Sequence, residues 1–196
     1  MMNRIAFNVF LVLSSATVAA AQQPQQQAPP TTAAFVRNAY NGNKNNITRS
    51  AEKVGEDLYG LRPGAQEEVR TFGQHLAHVA TYNYIWCSQA KGEKNPNAGN
   101  SLEKTLKTKA ETSKALADSF AYCDPAYAGL TEENGAQVVE ITQENGRQVR
   151  QTRMALLMLT VMHNNEIYGN LVTTMRIKSI VPPSSEPRPA QPPPQR

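Results

Sequence analysis

The chain has 196 residues, 40% hydrophobic and 18% charged, a length that fits one domain with flanking segments and not two large cores. Its formal charge is +4, from 20 Lys and Arg against 16 Asp and Glu, without Arg-rich or aromatic-basic runs, which argues against nucleic acid as a partner. The 13 prolines crowd toward the two ends, and collagen, coiled-coil and multi-span membrane classes are excluded.

Residues 1–21 read as a secretory signal: a basic Arg4, an apolar stretch from Ile5 to Val18, then Ala19-Ala20-Ala21 before Gln22. The apolar stretch is shorter than the roughly 20 residues that span a bilayer, so cleavage after Ala21 is expected. No later apolar run is longer. The expected product is a bacterial protein, secreted or periplasmic, with no membrane span after cleavage. Residues 22–32 have no large apolar side chain and three prolines, and are expected to form a disordered linker.

From residue 33 to 181 the period is helical, and no strand is expected. A first helix carries Val36, Tyr40, Ile47, Ala51, Val54 and Leu58 and stops before Gly60 and Pro63. A second starts near Ala65, with Glu67 and Glu68 in its first turn, and presents Phe72, Leu76, Val79 and Trp86. A third opens on a capping box at Asn100-Ser101-Leu102-Glu103 and runs through Leu106, Ala110, Leu116 and Phe120. An irregular stretch from Cys123 to Gly146 follows, with room for a short helix near Thr131. The fourth helix is apolar around most of its circumference from Met154 to Met162 and ends near Ser179, where a serine in place of the usual glycine implies a less sharply formed stop. Residues 182–196 hold seven prolines and are expected to be an extended, solvated tail. The fold class is therefore all-α, an antiparallel four-helix bundle.

Cys87 and Cys123 lie 36 positions apart. In an oxidising compartment they can close a disulfide; the alternative is two small buried apolar residues. Of the three histidines, His75 and His78 sit one turn apart beside the apolar stripe of the second helix, and His163 interrupts the apolar face of the fourth. Such groups converge on a divalent ion in some bundles and are hydrogen-bonded core residues in others.

The stretch Val69-Arg70-Thr71-Phe72-Gly73-Gln74-His75-Leu76-Ala77-His78-Val79-Ala80, with Tyr84-Ile85-Trp86-Cys87-Ser88 after it, resembles the second helix of the DinB/YfiT-like superfamily. His163-Asn164-Asn165-Glu166-Ile167-Tyr168-Gly169-Asn170-Leu171-Val172-Thr173 is similar to that superfamily's last helix. The resemblance implies a four-helix bundle, often a homodimer, acting as a metal-dependent hydrolase or thiol-dependent transferase on a small-molecule substrate. It also implies a nickel or zinc ion held by three histidines, one on the second helix and two on the last. His78 and His163 match two of these positions, while the third falls on Ile167, which has no lone pair. Glu166 or His75 can supply the missing ligand; without either, the site is empty or very weak. Tyr168 and Asn170 match the family stretch as candidate cofactor-binding residues, with ordinary helix-end contacts as the alternative. Three functions follow: a metal-dependent enzyme, a binding or scaffold bundle that has lost its metal, and a partner-binding protein displaying its Pro-rich tail.

Overall fold

Helix α1 (Thr32–Lys53) begins where the Thr31 side chain accepts a hydrogen bond from the Ala34 amide, and buries Val36, Tyr40, Ile47 and Ala51 at helical spacing. The computed structural model describes residues 29–187 apart from 144, so the expected signal and most of the expected linker lie outside the described residues. Leu58 is not part of α1; it belongs to a short 3-10 turn, Glu56–Leu58. Helix α2 (Phe72–Lys91) starts at Phe72 and not near Ala65, because Thr71 and Gln74 form the reciprocal capping box. The residues before it form a loop folded around Arg62, whose guanidinium donates to the Val69 carbonyl at 2.6 Å and to that of Glu67.

The expected third helix is two. Helix α3 (Leu102–Thr105) is a single turn capped at Ser101 without a side-chain bond, and α4 (Lys109–Ala128) starts afresh where Thr108 and Glu111 form a capping box. Glu103 caps nothing; its carboxylate turns toward α2. Helix α4 also runs through Pro125, where the sequence predicts an irregular stretch, because Phe120, Cys123 and Tyr127 continue its buried stripe. Tyr127 stacks on Tyr40 with ring centroids 3.7 Å apart, and the Tyr40 hydroxyl donates to Asp124 at 2.8 Å. A proline removes one helical hydrogen bond, and this packing offsets the loss.

After the short α5 (Glu132–Gly135), strands β1 (Val138–Thr142) and β2 (Gln148–Thr152) form an antiparallel hairpin, which corrects the expectation of no strands. Val139 and Ile141 pack inward while Val138, Glu140 and Thr142 alternate outward, as in any sheet with one wet face. Gly146, at φ 79, supplies the left-handed residue of the turn. Helix α6 (Arg153–Ile177) then crosses the core and buries Leu156, Leu157, Ile167, Leu171 and Met175. Its stop is sharp after all. Ser179 takes the left-handed conformation at φ 57, and the Ile180 amide bonds back to the Met175 carbonyl at 2.9 Å. The chain beyond is not a free tail at once: Pro182 and Pro183 are buried, and Glu186 pairs with Lys53 at 2.5 Å and with Arg49.

The four long helices α1, α2, α4 and α6 pack around one core, with α2 touching both α4 and α6. Cys87 and Cys123 form a disulfide between α2 and α4, with their Cα atoms 5.4 Å apart. One turn before it on each helix, a buried polar chain links three helices. Asn164 donates to the Asn83 side-chain oxygen at 2.9 Å, Asn83 donates to Ser119 at 3.0 Å, and Ser119 donates to the Leu116 carbonyl at 2.8 Å. Because that chain fixes the rotation of α6 against α2, it also decides where His163 points. Among the described residues no helix is long and apolar enough to cross a membrane.

Candidate functional site

His78 from α2 and His163 from α6 face each other, with ring centroids 4.9 Å apart. They meet because α2 and α6 pack directly and the Asn83–Asn164 bond holds their register. Two aromatic residues complete the cluster: Trp86, which the helical period marks only as core, and Tyr82, which it does not mark at all. The Tyr82 ring lies 4.6 Å from both imidazoles, and Trp86 meets His163 edge to face at 5.1 Å. Their positions four and eight residues after His78 put them on its helix face, a signal legible in the sequence.

Glu103 is the second residue that sequence reasoning misses. From α3 its carboxylate sits 2.5 Å from His78 Nδ1 and accepts from Arg70 Nε at 2.6 Å. Partial burial pushes its pKa up, but the bonds from His78 and Arg70 outweigh this and hold it at about 2. It is therefore an acceptor at neutral pH. His78 must carry its proton on Nδ1, and a neutral His78 presents the lone pair of Nε2. This is the manner in which a carboxylate orients a metal-ligating histidine. Burial, together with the nearby His78, lowers the pKa of His163, so its imidazole is neutral at pH 7, and its Nε2 is buried without a hydrogen-bond partner.

The other candidates predicted from the sequence fall elsewhere, or stop short of the pair. His75 is buried with an unpartnered Nδ1, and desolvation with the nearby Arg70 charge lowers its pKa to about 4. Glu166 is exposed on α6, three residues beyond His163. Ile167 is buried one turn after His163, where it offers packing and no electrons. Tyr168 turns away to the C-terminal segment, its hydroxyl donating to Ser184 Oγ at 2.9 Å and accepting from the Ser184 amide at 3.0 Å. Asn170 is exposed, and its carbonyl accepts from Thr174. Tyr168 and Asn170 thus stand apart from the histidine pair.

Among the described residues no group of three or more His, Cys, Asp and Glu side chains is arranged to hold a metal ion. The donors present nevertheless fit one in part: an oriented imidazole on His78, an orphaned buried nitrogen on His163, and a charged carboxylate behind the first. The position where the resemblance implies a third ligand holds Ile167, which offers none.

Residues 15–166 match the model of the DinB superfamily. The chain is similar in structure to a DinB-like protein from Bacillus cereus, with a TM-score of 0.59 at 12% identity, covering 76% of this chain and 93% of that one. It is also similar to a conserved protein from Enterococcus faecalis, with a TM-score of 0.57 at 13% identity, covering 73% of this chain and 94% of that one. A third likeness is to a mycothiol-dependent maleylpyruvate isomerase, with a TM-score of 0.55 at 16% identity; it covers 71% of this chain and 60% of the isomerase. At these identities the likeness shows the fold. No match is found among curated proteins.

Proposed function

The chain belongs to the DinB superfamily, and from that premise we propose that it is an exported enzyme that uses a divalent ion, nickel or zinc, at the His78–His163 pair to activate water or a thiol against a small-molecule substrate. On this reading the long helices are an antiparallel four-helix bundle and residues 1–21 a cleaved signal. The observation that carries it is the facing pair itself: two imidazoles from different helices, one oriented by a carboxylate and the other with an unsatisfied buried nitrogen. A buried polar atom without a partner costs about 1–3 kcal/mol, a cost that a ligand on His163 would offset.

His78 and His163 would hold the ion through their Nε2 atoms. Glu103 holds the His78 proton at Nδ1, Arg70 holds Glu103, and Tyr82 with Trp86 packs against the pair. Burial keeps His163 neutral, so its lone pair is available at pH 7. A divalent ion there lowers the pKa of a bound water or thiol and so supplies a nucleophile at neutral pH. The similarity to a mycothiol-dependent isomerase supports a thiol as one such group. A homodimer is proposed on the family resemblance alone.

A second reading is favoured by Ile167, which leaves two ligands where catalytic zinc sites have three: a binding bundle that kept the pair and lost the ion. Elemental analysis of the mature protein after incubation with nickel and with zinc separates the two. Near-stoichiometric metal, lost in both His78→Ala and His163→Ala, supports the enzyme. Absence of metal in the folded parent leaves the binding bundle.

A further inference from the structure

Alternation along the hairpin turns Val139, Ile141 and Val149 toward the helices, as a half-buried sheet requires. Gln151 pairs with Val139 in the hairpin register and so stands on that same inner face. Gln143, two residues after Ile141, is also half-buried and turned inward. Two carboxamides thus occupy places that packing alone would give to apolar side chains. They look into a cavity of about 440 Å3 whose opposite wall is formed by Tyr82 and Trp86 of α2. These two rings sit one turn apart with centroids 4.7 Å from each other, and make one continuous aromatic surface. The volume is within the range of small-molecule pockets, roughly 300–1,000 Å3.

The polar groups of this lining are open. Among the described residues the Gln151 amide, the Tyr82 hydroxyl and the Trp86 indole N–H have no hydrogen-bond partner. All three keep accessible surface, unlike the sealed Gln89 oxygen behind them. Gln143 accepts from Arg147 through Oε1 at 2.9 Å, which leaves its amide N–H groups for the cavity. A wholly apolar ligand would desolvate these groups and give them nothing in return. An open-chain polyol would satisfy them but bring no apolar face to the two rings and Ile141. A saccharide ring does both: each hydroxyl on its rim donates and accepts, as a carboxamide does, and its C–H face lies against an aromatic ring. We propose that this cavity binds a saccharide, with a pyranose ring on Tyr82 and Trp86 and its hydroxyls on Gln143 and Gln151. Such binding goes beyond the metal reading and needs no metal, although Tyr82 and Trp86 border both places.

Trp86 is the sole tryptophan in the chain, so its emission reports occupancy of this wall directly. The mature protein is titrated with the methyl glycosides of glucose, galactose, mannose and N-acetylglucosamine up to about 50 mM, read by emission and by calorimetry. Sorbitol, which has the hydroxyls without the ring, and cyclohexanol, which has a ring with a single hydroxyl, are titrated beside them. The expected result is saturation by at least one glycoside, with sorbitol and cyclohexanol at least about tenfold weaker. Gln151→Leu should weaken the binding roughly fivefold, the value of one hydrogen bond, with circular dichroism confirming that it folds. Trp86→Ala, followed by calorimetry, should weaken it at least about tenfold through the lost ring contact. The proposal is overturned if no glycoside saturates, if either control binds as tightly as the glycosides, or if either folded variant binds as the parent does. Metal content of the parent, measured on the same samples, reads the other site: metal retained without glycoside binding defeats only this inference, and glycoside binding without metal defeats only the enzyme.

Discussion

Two polar clusters bridge α2 and α6 within two turns of each other, and they are built in opposite ways. Asn83, Ser119 and Asn164 are fully buried and bonded end to end, closing on a backbone carbonyl, with the Cys87–Cys123 disulfide one turn further on. His75, His78 and His163 occupy the neighbouring turns, and there two buried ring nitrogens are left without partners. A saturated buried network rigidifies a core, whereas an unsaturated one lowers stability unless something else fills it. The first cluster therefore closes on itself within the fold, whereas the second leaves nitrogens open for the ligand proposed above, although residues 163 and 164 are adjacent.

Removing the closed cluster's covalent brace should have the largest effect. The bond closes a 36-residue separation, for which chain entropy gives about 4 kcal/mol. The Cys87→Ala/Cys123→Ala double variant should therefore melt on the order of 10 °C below the parent by calorimetry, with reductant lowering the parent alone. A near-identical melting temperature would show that the bond adds nothing to the network beside it.

Adjacent substitutions on α6 sharpen the contrast further. Asn164→Leu keeps the branched shape but strands the Asn83 oxygen in the core, and should cost about 2 kcal/mol in denaturant unfolding. His163→Leu removes a nitrogen that already lacks a partner, so its stability should stay within about 0.5 kcal/mol of the parent or rise. Equal losses from both would erase the distinction between the clusters.

Acid should also find the open cluster first. His75 and His163 have pKa values below their ordinary 6.5, with His75 at about 4, chiefly because burial disfavours the charged ring. The unfolded chain then binds more protons than the folded one as pH falls below 6.5, so stability is full above that value and is lost toward pH 4. The loss should be on the order of 1–2 kcal/mol in urea midpoints, and His75→Leu should flatten its lower part. A parent whose midpoint does not move between about pH 7 and 4.5 would contradict this.

How much of this is legible in the sequence follows from range. Helices α1, α2 and α6 can be read because Val36, Tyr40 and Ile47, or Phe72, Leu76 and Val79, repeat at a local helical period. The hairpin escapes such a reading because its strands are five residues long and only Val139, Ile141 and Val149 are apolar residues turned inward, with Val138 exposed, although Asn145-Gly146 marks the turn. His78 and His163 can be named from the sequence, but Glu103 cannot. Its contact with His78 depends on where the single turn of α3 lands against α2, a tertiary fact with no local pattern. Tyr168 is misleading for the complementary reason: the segment that takes its hydroxyl, Pro183–Ser185, has the composition of a solvated tail.

The last effect expected is a small gain, and it lies at the far end of α6. Ser179 holds a left-handed backbone at φ 57 so that the Ile180 amide can close the helix and send Ser184 to Tyr168 and Glu186 to Lys53. A residue with a Cβ is strained there by roughly 1–2 kcal/mol, and glycine is not, though glycine gives back part of the gain through its freer unfolded chain. Ser179→Gly should therefore raise stability by about 0.5–1 kcal/mol, read as a higher urea midpoint with an unchanged slope. The turn belongs with the closed parts of the molecule, so the same variant should leave metal content as it is in the parent. A shift would mean that the C-terminal clasp and the histidine cluster are coupled through α6, and that the division between a sealed framework and an open cluster does not hold along that helix.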